Sequence, residues 1–160
     1  TNTFAYFNRA LMFYELKDYN SAMRDLNRVL KDEPGNALTL YNRSLIHAQV
    51  GNFEEALADM DHVISINPSN VLAYFNRASY FIEMSRWRDA LEDYDKAIEL
   101  YKKAGDSEEV CNNLAACYLA KGDAENAKKC LEKVSDKKLQ ETNANELRKV
   151  VLNNKFFGNK

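Results

Sequence analysis

YFNRA stands at residues 6–10 and again at 74–78, with LYNRS at 40–44 between them. The three copies begin 34 residues apart. Outward from them, Ala22, Ala56, Ala90 and Ala127 recur at spacings of 34, 34 and 37. Self-similarity at such a period marks an array in which each repeat is one supersecondary unit. Every unit holds two apolar-periodic segments of about fourteen residues joined by a tight turn, the pattern of paired helices.

In the second unit a first helix is expected from about Ala37 to Val50, with Leu40, Ser44 and His47 on one face. Gly51 ends it by taking positive φ, and Asn52 with Glu55 reads as a capping box for the next helix. That helix places Ala56, Met60, Val63 and Ile64 at helical spacing and stops at Pro68. The other turns are KDYNSA, SRWRDA and KGDAENA. The third unit has no closing Pro and runs on through ELYKKAGD to Gly105, which accounts for the spacing of 37, and Asp106 and Glu109 read as caps of the fourth. NELRKVVLNN, with Leu147, Val150 and Val151 on one face, reads as a terminal helix or the first helix of a further unit.

Composition agrees with long helices. The chain of 160 residues has only 5 Gly and 2 Pro, and its hydrophobic and charged shares are 46% and 29%. A net charge of −2 invites neither nucleic acid nor an anionic membrane. The charge is uneven: residues 1–120 carry 12 basic and 18 acidic groups (−6), and 121–160 carry 10 and 6 (+4). No apolar run approaches a membrane span. The chain opens on Thr1 inside an amphipathic pattern, so it reads as a piece of a longer protein. Cys111, Cys117 and Cys130 have no zinc-site spacing and fit a reducing compartment such as the cytoplasm.

The conjunction at fixed period resembles the tetratricopeptide repeat. It comprises small residues at the helix crossings (Ala10, Ser44, Ala78, Ala115 and Ala22, Ala56, Ala90, Ala127), aromatics after the turns (Tyr19, Phe53, Trp87), and Pro34 and Pro68 closing units. The departures are Lys17 and Ser85 where Gly is usual, Ala124 in place of an aromatic, and the long third unit. The resemblance covers roughly residues 3–139. It implies an all-α, right-handed α-α superhelix of about four helix-turn-helix units at 3–36, 37–70, 71–107 and 108–139, with a terminal helix at about 142–154.

Arg9, Arg43 and Arg77 occupy a site that the resembled family usually fills with Leu, and an Asp follows each by sixteen residues: Asp25, Asp59 and Asp93. In the fourth unit the two sites are Leu114 and Cys130. Loss of both charges together points to contact, a charge-assisted pair tying one helix to the other. Asn8, Asn42, Asn76 and Asn113 keep one site in all four units, although Asn is a poor mid-helix residue. In the resembled family this site faces the concave groove and clamps the backbone of an extended peptide; the other reading is a bond across to the neighbouring unit. Phe7, Tyr41 and Phe75, with Asn112 in the fourth unit, precede each Asn and read either as a groove lining or as core.

The two-carboxylate clamp that grips acidic chaperone C-termini needs Lys, Asn, Asn, Lys and Arg. The corresponding residues here are Phe7, Leu11, Asn42, Leu72 and Asn76, and only Asn42 fits. Chaperone tails of that kind are therefore not expected. There is no phosphate loop, HExxH or nucleophile motif. His47 reads as packed and His62 as exposed, and neither metal nor cofactor is expected. The reading is a non-enzymatic scaffold that binds a peptide or helix of a partner protein. The competing reading is a structural spacer or self-association segment, with homodimerisation as its mark.

Overall fold

The computed structural model describes residues 2–134. Eight α-helices and no strand occur among them, and the chain divides into two compact units, Thr1–Met84 and Ser85–Lys160. The segment expected as a terminal helix at 142–154 lies outside the described residues.

The first unit holds α1 (Thr3–Glu15), α2 (Tyr19–Asp32), α3 (Ala37–Gln49), α4 (Phe53–Ile66) and α5 (Val71–Glu83). Asn2, Asn36 and Asn70 start the odd-numbered helices, each side chain accepting a hydrogen bond from the backbone N–H three residues on. Asp18 does the same for α2 through the Ser21 N–H at 3.2 Å, and the Ser21 hydroxyl, with this N–H second, holds its carboxyl below the usual carboxylate range. Asn52 departs from expectation: its side chain makes no capping bond. Its carbonyl accepts from the Ala56 N–H at 3.0 Å, and Glu54 and Glu55 supply the negative charge that suits the helix start.

Where the paired helices cross, small residues let backbones approach. Ala10, Ala22 and Ala56 are fully buried, and Ser44 Oγ donates to the Ala56 carbonyl at 2.7 Å. Ala10, Ala22 and Leu26 share one core cluster with Ile46 of α3. Leu30, Leu40, Ala56, Met60, Val63, Ala73 and Tyr80 form another, so each helix pair buries its apolar stripe against the next. A fully buried Leu or Met contributes roughly 2 kcal/mol.

The second unit holds α6 (Trp87–Lys103), α7 (Glu108–Ala120) and α8 (Ala124–Leu131). The run-on expected in the third repeat is the 17-residue α6, closed by Gly105 at φ +105°. The cap of α7 is Ser107, whose Oγ accepts from the Val110 N–H, rather than Asp106; the helix begins one residue later than the acid would require. Tyr94, Ala97, Ile98, Tyr101, Leu114, Ala115, Cys117 and Ala127 are buried. Lys121 pairs with Asp95, and Lys102 Nζ lies 5.9 Å over the Tyr118 ring.

Candidate functional site

The arginine and aspartate of the first two repeats meet. Arg9 Nε and Nη2 donate to the two oxygens of Asp25 at 2.7 Å, and Arg43 forms the same fork on Asp59 at 2.7 Å. Both carboxylates are buried, so these bonds replace the water that they lose. The carboxylate in turn raises the pKa of each guanidinium, mainly through the hydrogen bond. The third nitrogen of the Arg43 fork has its own use: Nη1 donates to Asn27 on α2 at 3.1 Å, and Arg77 Nη1 likewise donates to Asp61 on α4 at 3.0 Å. Asp93, in the second unit, is buried. At the fourth repeat a cavity of about 270 Å³ is lined by Leu114 and Cys130, the residues at the Arg and Asp sites, together with Cys111, Tyr118 and Lys102. Burial pushes the Cys130 thiol pKa up, which keeps it a thiol.

The asparagines have separate partners. Asn42 Nδ2 donates to the Leu38 carbonyl on its own helix at 2.8 Å. Asn76 Nδ2 donates to Tyr41 Oη at 2.6 Å, reaching from α5 to α3. Asn8 is exposed and lines a cavity of about 290 Å³ with Thr3, Phe4, Phe7, Val29, Glu33, Asn36 and Leu38. Asn112 and Asn113 lie half-buried on α7 of the second unit.

The aromatics divide between core and cavity. Phe7 and Tyr41 are half-buried against the two clusters of the first unit, while Phe7 also lines the cavity beside Asn8; Phe75 is half-buried on α5. Burial raises the Tyr41 pKa, and the Asn76 bond partly offsets this. Sequence reasoning passed over Phe4 and Leu38 and met Leu72 only as a mismatch to the carboxylate clamp; all three are large, apolar and exposed. They stand four residues before Asn8, Asn42 and Asn76, so one stripe of α1, α3 and α5 alternates apolar groups with amides. Their 34-residue spacing was the available signal.

Glu33 sits at the cavity rim, where Oε2 accepts from Asn36 Nδ2 at 2.8 Å and Oε1 from Thr3 Oγ1 at 3.4 Å. His47 Nε2 lies 3.8 Å from Asp59, and His62 is exposed. Among the described residues no three metal-ligating side chains come together, and no helix is long and apolar enough to cross a membrane.

The tetratricopeptide repeat pattern matches residues 4–36, 37–70 and 90–149. The chain belongs to the tetratricopeptide repeat family. None of the curated protein sequences matches it. Its fold is similar to the crystal structure of MamA, at TM-score 0.63 and 16% identity over 92% of this chain and 81% of that one. It is also similar to MamA 41-end from Desulfovibrio magneticus RS-1, at TM-score 0.62 and 18% identity over 82% and 72%. The first tetratricopeptide domain of Spaghetti (RPAP3), bound to the HSP90 peptide SRMEEVD, gives TM-score 0.62 and 19% identity over 74% and 92%. At these identities the likeness shows the fold alone: all-α, built of tetratricopeptide helix pairs. The repeats of the family to which the chain belongs form a protein-interaction scaffold.

Proposed function

We propose that the chain is a non-enzymatic scaffold that holds a neutral, largely apolar peptide or helix of a partner protein against the first-helix faces of its first unit. The observation that carries this reading is the stripe in which the exposed Phe4, Leu38 and Leu72 alternate with Asn8, exposed, and with Asn42 and Asn76, half-buried. Apolar side chains of a ligand bury against the former, and an amide both donates to and accepts from its backbone. Phe7, Tyr41 and Phe75 stiffen the floor from below; Asn112 and Asn113 offer the same amide chemistry on α7 of the second unit. That a related fold is bound to a peptide supports the mode, but the acidic ligand of that complex does not suit this face. Phe7 and Leu72 stand where lysines would hold its carboxylates, and Glu33 adds a negative charge at the rim.

The test is selection from a displayed random-peptide library, followed by binding of the enriched peptides to the wild type and to Leu38→Glu/Leu72→Glu. Both leucines are exposed, so the variant melts like the wild type. Enriched peptides are expected to be apolar, to bind equally in low and high salt, and to lose at least about tenfold in affinity on the variant; SRMEEVD is expected not to bind. Absence of enrichment, or binding indifferent to the two glutamates, removes the reading.

A further inference from the structure

The fourth repeat lacks what fills the corresponding site of the second. There the Arg43 guanidinium lies forked on Asp59, between α3 and α4. Counted from the alanines that align the repeats, Arg43 and Asp59 become Leu114 and Cys130, so neither the guanidinium nor the carboxylate is replaced. The cavity of about 270 Å³ stands at this place, lined by both residues. Its other apolar walls, Cys111 and Tyr118, are buried like Leu114.

Charge changes along with volume. Lys102, Lys129 and Lys133 line the cavity, at positions that around the second repeat are Pro34, Ala58 and His62. Among the described residues none of the three makes an ion pair, and Asp106, the one acid in the lining, is exposed and pairs with none of them. Burial, and then Cys111, push the Cys130 thiol pKa up while Lys133 and Lys102 pull it down, so two ammonium groups lie near the sulfur that stands in for the lost carboxylate. Stacked helices do not close such a site. With α1 and α2 before it and α5 after it, the Arg43 side chain is still 27% exposed.

We propose that this cavity binds a small organic carboxylate with an apolar body, which supplies from outside the anion that the fourth repeat has lost. The carboxylate lies beside Cys130 and accepts from the lysine ammonium groups. The hydrocarbon covers Leu114 and Tyr118, in the room that the arginine takes in the second repeat. The site belongs to the second unit, and its occupancy does not depend on what the Phe4–Asn8 stripe binds.

The probe is phenylpropionate, titrated into the isotope-labelled full chain, with a short peptide ending in phenylalanine titrated alongside. Phenylpropionate is expected to give saturable NMR shifts at Cys111, Leu114, Tyr118 and Cys130, and to bind several-fold more weakly in high salt than in low. Phenylpropionamide, which has the same shape and no charge, is expected to bind at least about tenfold more weakly. Leu114→Arg/Cys130→Asp rebuilds the pair of the second repeat while keeping all three lysines, and is expected to fold and to lose the probe. Should that variant melt early, Lys129→Glu/Lys133→Glu, which changes exposed residues only, carries the same expectation. No saturable shift, equal binding of acid and amide, or undiminished binding to a folded variant overturns the proposal. So do shifts confined to lysines outside the cavity, such as Lys128, which reduce the interaction to diffuse charge attraction. Binding of the peptide without binding of phenylpropionate overturns it too, and makes the occupant the C-terminus of a partner protein.

Discussion

Two residues hold a backbone conformation that suits glycine better. Lys17 and Ser85 take φ of +59° and +60°, as Gly51 and Gly122 do at +84° and +81°. At Lys17 the reason is visible: its N–H reaches the Tyr14 carbonyl and the Asp18 N–H reaches Phe13, closing α1 as Gly51 and Asn52 close α3. A side chain in the left-handed region costs about 1 kcal/mol, so Lys17→Gly and Ser85→Gly should each raise the unfolding free energy by up to that amount. Gly51→Ala should lower it comparably, through the backbone alone, because nothing lies within 4 Å of the added carbon. Tyr80 sets a pH limit. Burial pushes its phenol up to about 12 from 10.0, beside Tyr41, Tyr14 and Asp59. Its contribution is complete below the unfolded pKa and is lost as pH rises from 10 to about 12. Wild-type stability should therefore fall more steeply over that window than that of Tyr80→Phe, which in return loses about 1 kcal/mol at neutral pH with the hydroxyl contact to Ser44 at 3.1 Å. Denaturant titrations across the alkaline range measure both effects.

Between elements, Arg43 joins three helices: α3 carries it, α4 supplies Asp59 and α2 supplies Asn27. Arg43→Leu leaves a buried carboxylate unpaired and should cost about 2–3 kcal/mol, less than a fully enclosed pair because the arginine is partly exposed. Adding Asp59→Cys, after the Leu114 and Cys130 of the fourth repeat, should recover part of that loss; a double variant as unstable as the single would show that the pair is not where the energy lies. The pairing across the first two helix hairpins was legible in sequence because Arg and Asp recur sixteen apart and vanish together. The bond to the preceding helix was not, since a guanidinium has five donors, the fork uses two, and periodicity does not say which neighbour takes the others. Helix ends were legible from Gly and Pro to within a residue or so, whereas the choice among Asp106, Ser107 and Glu109 as the α7 cap depends on local backbone geometry.

For the molecule as a whole, the repeat period was enough to read an all-α tetratricopeptide fold from residues that are individually unremarkable. The candidate face was legible only in part. The Asn ladder announced itself by persisting at every repeat, yet its members differ in state: one amide is exposed, one is tied to its own helix and one to Tyr41. Identical letters at identical spacing do not encode which partner each side chain finds. The exposed apolar stripe escaped notice because apolar residues on a helix are read as core until burial is known.

The bond from Asn76 to Tyr41 has a practical consequence. A ligand that turns the Asn76 amide away from Tyr41 breaks this 2.6 Å contact and strips the phenol oxygen of its donor. Near-ultraviolet absorption of a tyrosine responds to such a change, so the receptor carries its own chromophoric gauge of occupancy, and no dye need be attached. Difference spectra recorded during a titration should show a perturbation that disappears in Tyr41→Phe while affinity is largely kept. A spectrum that stays flat at saturation would mean that the guest leaves Asn76 where it is.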